Sequence, residues 1–391
     1  RKHKVQYMKT KTETEFNHTE RGLIPEDWEI LELQQISKVI DSLHITPSYS
    51  SEGISMVRAA DIKYGNLDLK RTLRVTKEVY EEFTRNHRPQ RNDIVMSRVG
   101  TYFVTSFVET DEPFCIGQNT VVIHPSINSR FVYYALNSRF VKRQIEEELV
   151  GSGGQETLSL EDIRQLLIQK PTDPREIERI ARTLSSLDSK IELNNRMNKT
   201  LEAIAKAIFK NWFIDFEFPN EQGKPYKSSG GEMVFNEELA KEMPKEWNAA
   251  KLAEHVIVIK GCSYKSDDLK ESDVALVTLK SINRGGGFNQ EGYKEYIGEY
   301  NENQVLKDGQ IVVAQTDLTQ KAEVIGRPAI VNSLGKYSKL VASLDLQIVR
   351  PKNDFSKHYV YYLLKTEEFH NHALSYTNGT TVLHLDKNAV P

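Results

Sequence analysis

The chain carries the same set of landmarks twice, in the same order. Residues 24–28 (IPEDW) return as residues 243–247 (MPKEW), and residues 132–134 (VYY) return as residues 360–362 (VYY). Near the end of each copy, residues 158–160 (LSL) are matched by residues 383–385 (LHL). A repeat of this length is too long for a stacked solenoid, so it predicts two duplicated domains. Two similar domains suggest a protein that reads two similar targets.

The composition is that of an ordinary globular protein. The chain has 391 residues, of which 39% are hydrophobic and 27% are charged. No apolar run approaches the roughly 20 residues that cross a bilayer, and no signal peptide is visible, so we expect a cytoplasmic protein. The net charge of −3 argues against indiscriminate coating of nucleic acid, although residues 58–98 contain more Lys and Arg than acids. Cys115 and Cys262, one in each repeat, are predicted to be unpaired thiols.

A long helix is predicted between the repeats, over residues 173–216. Asp173, Pro174 and Glu176 form a capping box with proline at the first helical position. Beyond them, positions that alternate in steps of three and four form one mostly apolar stripe of about five heptads, typical of a coiled coil that must meet another helix. This stripe, called the seam below, consists of Ile177, Ile180, Leu184, Leu187, Ile191, Asn194, Asn198, Leu201, Ala205, Ile208 and Trp212.

Two features of the predicted helix leave alternatives open. Asn194 and Asn198 either fix the register of a buried seam or face water through a local gap. The aromatic residues within 209–216 are expected to pack on a domain or on a partner. About 40 helical residues span roughly 60 Å, so the helix is expected to act as a spacer. It should end before Pro219, where a linker rich in Gly and Ser begins.

Each repeat predicts an α+β domain with short strands followed by a helix. In the first repeat the strands are predicted at 93–96, 104–108 and 120–123, with a helix at 130–148. In the second repeat they are predicted at 311–314, 329–331 and 346–349, with a helix at 356–372.

The loops between these strands differ between the repeats and supply candidate DNA contacts. Arg98 and Gln315 follow equivalent strands, and their side chains suit bidentate pairs with guanine and adenine respectively. Different loops on a shared framework fit two reading heads, but they also fit neutral drift in surface loops. The glycine-containing loops 151–157 and 377–381 either approach phosphates or are plain turns. The DNA-binding candidates are Arg58, Lys63, Ser97, Arg98, Tyr102, Ser152, Gln155, Thr157, Lys280, Asn283, Arg284, Gln315, Thr316, Asn378 and Thr380.

Signals for catalysis are missing from the sequence. There is no phosphate-binding loop for ATP, no dinucleotide-binding loop, no hydrolase nucleophile elbow and no zinc-protease motif. The Asn-Pro-Pro-aromatic run of amino-methylating enzymes is also absent, and the histidines are scattered. We therefore expect no catalytic residues, no metal and no cofactor in this chain.

The helix carries a resemblance to a known family. Residues 184–196 (LSSLDSKIELNNR), 201–205 (LEAIA) and 209–216 (FKNWFIDF) closely resemble the central conserved region of type I restriction-modification specificity subunits. Residues 24–28 resemble the start of that family's target recognition domain. One departure is the start of the helix, where residues 171–174 (PTDP) replace the family's usual double proline.

The resemblance implies two duplicated α/β target recognition domains joined by a long coiled-coil-forming α-helix. The implied organisation is an N-terminal arm (1–21), target recognition domain 1 (22–170), a conserved spacer helix (171–218), a linker (219–240) and target recognition domain 2 (241–391). Each domain would read one half of a bipartite site in double-stranded DNA, without catalysis by this chain. Two methyltransferase subunits would dock on it and methylate adenine with S-adenosylmethionine, and restriction subunits using ATP and Mg²⁺ can join them.

Two questions remain open in the sequence. The family's second conserved helix, the natural partner of the seam, does not follow domain 2, so it is either truncated here or supplied by another chain through self-association. The competing hypothesis is a coiled-coil adaptor whose globular domains bind protein partners rather than DNA.

Overall fold

The structure is a computed structural model of the chain. It describes residues 16–19, 22–99, 103–151, 157–318, 321–332, 335–353, 355–379, 382–386 and 389–390. The candidates Tyr102, Ser152, Gln155 and Thr380 lie outside these ranges. The chain divides into two compact units, unit 1 from Arg1 to Met197 and unit 2 from Asn198 to Pro391. Each unit has its own hydrophobic cores.

Unit 1 contains short strands, short helices and the first part of a long helix. Its strands are β1 Phe16–Thr19, β2 Gly22–Pro25, β3 Trp28–Glu32, β4 Ser37–Asp41, β5 Ile54–Val57, β6 Leu73–Val75, β7 Ile94–Ser97, β8 Thr105–Phe107, β9 Phe114–Ile116, β10 Thr120–Pro125 and β11 Leu167–Pro171. Its helices are α1 Leu33–Ile36, α2 Lys77–Phe83, α3 Ser129–Leu136, α4 Arg139–Gly151 and α5 Leu160–Gln165. The long helix α6, Pro174–Phe209, contains the boundary between the units and continues as a π-helical turn, Lys210–Ile214.

Unit 2 is built from elements of the same kinds. Its strands are β12 Met233–Asn236, β13 Lys241–Pro244, β14 Val256–Lys260, β15 Val274–Val277, β16 Tyr293–Glu295, β17 Val305–Leu306, β18 Ile311–Ala314, β19 Thr316–Asp317, β20 Pro328–Ile330, β21 Lys339–Ala342, β22 Leu346–Pro351, β23 Thr377–Asn378 and β24 Leu383–Leu385. Its further helices are α7 Leu252–His255, α8 Lys357–Leu364 and α9 Glu367–Ser375. Short 3-10 helices lie at Ala59–Asp61, Ser266–Asp268, Leu279–Ser281, Gln290–Gly292 and Glu302–Gln304.

The two units share a sheet topology. Unit 1 has a four-stranded antiparallel sheet in the order β4-β10-β7-β8, and unit 2 has one in the order β14-β22-β18-β20. A second sheet contains the parallel pair β5–β9 in unit 1 and the parallel pair β15–β21 in unit 2. The opening hairpins β1–β2 and β12–β13 also correspond. The predicted α+β class and the predicted duplication are confirmed.

Alternating side chains explain why strands β10 and β18 contain uninterrupted apolar runs. In β10, Val121 and Ile123 belong to one core of unit 1, while Val122 between them belongs to another. In β18, Ile311 and Val313 likewise face one core of unit 2, while Val312 faces another. Successive side chains of a strand point to opposite faces, so a sheet covered on both faces needs a continuous apolar run.

The helix predicted after the strands is broken in both units. In unit 1 the break separates α3 from α4 at residues 137–138, where the Ser138 hydroxyl accepts a hydrogen bond from the Val141 amide (3.3 Å). In unit 2 Thr366 caps α9 by accepting from the Phe369 amide (3.1 Å). Ser and Thr favour helix starts because their hydroxyls satisfy free backbone amides. The predictions of one helix at 130–148 and one at 356–372 are therefore corrected to a helix pair in each unit.

The predicted long helix is confirmed in position and in start signal. The Asp173 carboxylate accepts a hydrogen bond from the Arg175 amide (2.9 Å) and so caps α6. Glu176 does not complete the expected reciprocal box, because its side chain pairs with Arg179 instead (3.2 Å). Phe216, with a φ of 61°, follows the π-helical turn and ends the helical run. Among the described helices, none has both the length and the apolar content to cross a membrane.

The two cysteines are buried and unpaired, as predicted. Burial raises the pKa of the Cys115 thiol to about 12, so this thiol stays protonated near neutral pH.

Candidate nucleic-acid interface and spacer helix

Unit 1 holds the first part of α6 through both apolar and polar contacts. Ile177 and Ala181 are buried in the core of unit 1. The Tyr134 hydroxyl, from the VYY segment of α3, donates to the Asp188 carboxylate (2.8 Å). Burial, and then the hydrogen bond to Asp188, raise the pKa of Tyr134, so its hydroxyl remains a donor. The N-terminal part of α6 is thus fixed to unit 1.

Unit 2 holds the C-terminal part of α6 through aromatic rings. Phe209 lies 5.5 Å from Tyr359 and 6.0 Å from Tyr362, measured between ring centroids. Lys365, which follows α8, is buried and pairs with Glu202 of α6, and burial lowers the pKa of Lys365. The aromatics at 209–216 were predicted to pack on a domain or on a partner. For Phe209 the first alternative is confirmed, because its ring packs on rings of unit 2.

The middle of the seam is uncovered within the described part of the chain. Leu187, Ile191 and Leu201 are each 58% exposed, and every residue from 191 to 204 is exposed. The remaining seam positions differ in burial: Ile177 is buried, Ile180 and Ala205 are half-buried, and Leu184, Asn194, Asn198, Ile208 and Trp212 are exposed. The surface open to a partner therefore begins at Leu184, because Ile177 and Ile180 already pack on unit 1. An apolar stripe of this length is unusual on a surface that stays in water.

The exposed end of the seam borders an apolar cavity within unit 2. The cavity has a volume of about 750 Å³. Its wall includes Ile208, Phe209 and Trp212 from the helical segment, together with Phe355 and Tyr359. The apolar surface near residue 208 is therefore wider than a two-helix seam requires.

Arg58 and Arg98 both bind carboxylates inside unit 1. The Arg58 guanidinium donates to Asp61 through Nε (3.0 Å) and Nη2 (3.1 Å), and this pairing raises the pKa of Arg58. The Arg98 Nη1 donates to both oxygens of Asp41 (3.0 and 3.1 Å), and its Nε donates to the Leu158 carbonyl (3.0 Å).

Most of the hydrogen-bonding capacity of the Arg98 guanidinium is already used within unit 1. Its side chain is 11% exposed, and its bonds tie the end of β7 to the segment before α5. Ser97 beside it is buried, with its hydroxyl donating to the Val99 carbonyl (2.7 Å). In this structure Arg98 and Ser97 have a supporting role, because their side chains bond to neighbouring segments of unit 1, and the base contact suggested for Arg98 stays a prediction.

Replacing Arg98 by Ala should therefore destabilise unit 1. We expect the free energy of unfolding to fall by about 2 kcal/mol, because the change leaves the partly buried Asp41 carboxylate short of its main partner. Urea unfolding followed by circular dichroism measures this loss. As a control, Arg71→Ala removes an exposed arginine and should change stability by no more than about 0.5 kcal/mol. Equal stabilities of the two variants would contradict the supporting role.

Other cations of unit 1 are exposed and lack a carboxylate partner among the described residues. The basic stretch 58–98 contains both paired and unpaired cations. Among the paired ones, Arg91 contacts Asp111 (2.6 Å) and Lys77 lies 3.9 Å from Glu81. Sequence counting could not separate paired from unpaired cations. The exposed and unpaired ones are Lys63, Lys70, Arg71, Arg85 and Arg88.

The candidates of unit 2 also divide into exposed and buried residues. Lys280, Asn283 and Arg284 are exposed, and Arg284 lies 3.4 Å from the Glu323 carboxylate. Residues 285–287 follow as three glycines with φ between 74° and 100°, a region that favours glycine. This loop offers side-chain donors beside backbone that can approach a ligand closely.

Gln315 and Thr316 lie at the start of β19 and are less accessible. The Thr316 side chain is buried and donates to Asp345 (3.0 Å). The side-chain amide oxygen of Gln315 (Oε1) is buried without a hydrogen-bond partner among the described residues. Asn378 and Thr157 are exposed, and Thr157 forms an isolated bridge with Val99.

Comparison with known proteins gives one consistent result. Residues 25–203 match the family model described as the type I restriction modification DNA specificity domain. The MjaIX specificity subunit, from a type I restriction enzyme of Methanocaldococcus jannaschii, is 27% identical over 317 residues, covering 76% of this chain and 70% of that protein. The HindI specificity subunit of Haemophilus influenzae is 31% identical over 139 residues, covering 33% and 29%. A crystal structure of a type I S subunit from M. genitalium covers 86% of this chain and 76% of its own, with 15% identity and a TM-score of 0.44.

The family model thus matches most of unit 1 and most of α6. The similarity to the MjaIX specificity subunit covers 76% of the chain. The matching family model describes a domain that provides DNA specificity. Residues 25–203 thus match a type I restriction modification DNA specificity domain, and the relatives named here are specificity subunits of type I restriction enzymes.

Proposed function

We propose that unit 1 and unit 2 each read one half of a bipartite site in double-stranded DNA. The observation that carries the proposal is the shared topology of the units, combined with loops that differ in residues and in charge. A common framework with unlike loops suits two related but different half-sites. The match of residues 25–203 to a DNA specificity domain supports DNA as the ligand.

The phosphate contacts of unit 1 are assigned to its exposed, unpaired cations. Arg85 and Arg88 lie in the loop between α2 and β7, and Lys70 and Arg71 lie just before β6. An unpaired cation gives a phosphate its full charge, whereas Arg91 would first have to leave Asp111. In unit 2 the loop with Lys280, Asn283 and Arg284 takes the corresponding role.

The second part of the proposal concerns partners. Two methyltransferase subunits that use S-adenosylmethionine would dock on this chain, and restriction subunits with ATP and Mg²⁺ would join the complex. The exposed part of the seam and the adjoining apolar surface support docking of protein on α6. The helix would then set the gap between the half-sites.

A salt series on the complex with its methyltransferase subunits tests DNA binding. Affinity for duplex DNA should fall steeply with salt, since each neutralised phosphate releases counterions. The double substitution Arg85→Ala and Arg88→Ala should flatten the slope by about 1 for each lost contact. The matched control Arg91→Ala, which removes a cation already paired with Asp111, should change the slope less.

Two outcomes would count against this assignment. Equal effects of the control and the double variant would remove Arg85 and Arg88 from the phosphate contacts. Binding of DNA that is weak and insensitive to salt in the unsubstituted complex would instead favour the adaptor hypothesis, in which the units bind protein.

A further inference from the structure

Two histidines and one aspartate meet in unit 1, and none of them is a seam residue or a candidate base contact. Asp93 lies just before β7, His87 lies in the loop that follows α2, and His124 lies in β10. The His87 Nε2 is 2.8 Å from one Asp93 oxygen, and the His124 Nδ1 is 2.6 Å from the other. Pairing of β7 with β10 brings together residues that are distant in sequence.

The Asp93 carboxylate is held rigidly and is completely buried. Its exposure is 0%, and it accepts a further hydrogen bond from the Gln90 amide (3.0 Å). Its backbone carbonyl accepts from the Val108 amide (2.9 Å), which fixes the residue to the neighbouring chain segment. One Asp93 oxygen therefore faces the His87 ring and the other faces the His124 ring.

A buried carboxylate of this kind is stabilised by a nearby positive charge. Taking an anion out of water is costly unless a cation and hydrogen bonds compensate for the lost solvation. Within the described residues, the ion-pair partners of Asp93 are the two imidazoles. An imidazole supplies positive charge only when it carries a second proton. A divalent cation supplies that charge and binds the ring nitrogens through their lone pairs.

We propose that His87, Asp93 and His124 bind a divalent transition-metal ion of the Zn²⁺ type. The three donor atoms lie within 4.8 Å of one another. Tetrahedral coordination with bonds of about 2.0–2.2 Å places donors roughly 3.3 Å apart, so the present separations need to change by at most about 1.5 Å. Two imidazole nitrogens and one carboxylate suit Zn²⁺, Co²⁺ or Ni²⁺, whereas Mg²⁺ and Ca²⁺ prefer oxygen donors.

The surroundings of the cluster determine how strongly an ion binds. The His124 side chain is 41% exposed, so water can reach the fourth coordination position. Lys38 stands opposite His124 across the β4–β10 pair, and Arg85 and Arg88 flank His87 in sequence. These cations repel a metal ion, so we expect moderate affinity. Hydrogen bonds from His87 and Gln90 to Asp93 hold the loop at 84–92 to the sheet, and the ion would hold it there more firmly.

Cobalt titration of the intact chain tests the site directly. After dialysis against a chelator, one equivalent of Co²⁺ should give the visible absorption of a low-coordinate site, and Zn²⁺ should displace it. Zn²⁺ should also raise the melting temperature, since an ion that binds only the folded state stabilises it. His124→Gln should weaken Co²⁺ binding by more than the roughly 10- to 100-fold that follows loss of an outer-shell partner.

The control is His44→Ala in the same unit. His44 is exposed and lies 3.0 Å from Asp41, so it resembles the cluster in being a histidine beside a carboxylate. Binding should survive this change. Glutamine at position 124 can still donate to Asp93, and circular dichroism checks that the variant folds.

Three results would overturn the proposal. They are the absence of Co²⁺ absorption in the unsubstituted chain, equal binding by the His124→Gln variant, and a melting temperature that responds to acidification but not to Zn²⁺. The last result would mean that protons alone neutralise the cluster. None of these measurements uses DNA, so they stand apart from the test of DNA recognition.

Discussion

Replacing Leu187 and Ile191 together by aspartate is expected to abolish assembly of the chain through the exposed seam, with a second copy or with a methyltransferase subunit, while both units stay folded. The two side chains are each 58% exposed in this chain, so their loss leaves no cavity in unit 1. In a complex they would be buried, and two unpaired carboxylates in an apolar seam cost several kcal/mol. Affinity should fall by at least about 100-fold, which is 2.7 kcal/mol at 1.36 kcal/mol per tenfold.

The measurement is analytical ultracentrifugation of the chain alone and with its methyltransferase subunits. A matched control places the same two charges on the outer face of the helix, as Ser189→Asp and Thr200→Asp. Both residues are exposed and lie off the seam. Loss of assembly in the control as well, or persistence of assembly in the seam variant, would show that the seam does not form the interface.

Inserting one heptad into α6 after Met197 should lengthen the preferred gap between half-sites. Every residue from 191 to 204 is exposed, so seven added residues disturb no contact with either unit. A heptad adds about 10.5 Å of helix and keeps the seam on the same face. This length corresponds to about three base pairs at 3.4 Å each.

Selection of bound duplexes from a random pool measures the gap directly. The control inserts seven Gly and Ser residues at the exposed turn of residues 221–223, which lies beyond the helix. This control should keep the original gap. An unchanged gap in the helix variant would show that the length of α6 does not set the spacing between half-sites.

Much of the fold could be predicted because its signals are local or periodic. The seam is a repeating pattern that fixes one face of a helix, and Asp173 marks its start within one residue. Strands β7, β10 and β18 contain continuous apolar runs because both faces of their sheets are covered. Repetition of the same landmarks then predicted the second unit from the first.

The candidate contacts were harder to predict, because polar side chains choose partners that are distant in sequence. Arg98 follows a strand as a reading residue would, but its partner Asp41 lies at the end of β4. The same limit applies to His87, Asp93 and His124, which looked like scattered residues until strand pairing joined them. The helix breaks at Ser138 and Thr366 were predictable in principle from their capping side chains.

Sequencing of the duplexes selected by the unsubstituted complex tests the central claim most directly. The account predicts two short conserved blocks of different sequence, separated by a gap of constant length and unspecified bases. Substitutions in unit 1 should then alter one block, and substitutions in unit 2 the other. A single uninterrupted block, or two blocks that both change when only unit 1 is altered, would contradict two independent readers joined by a helix.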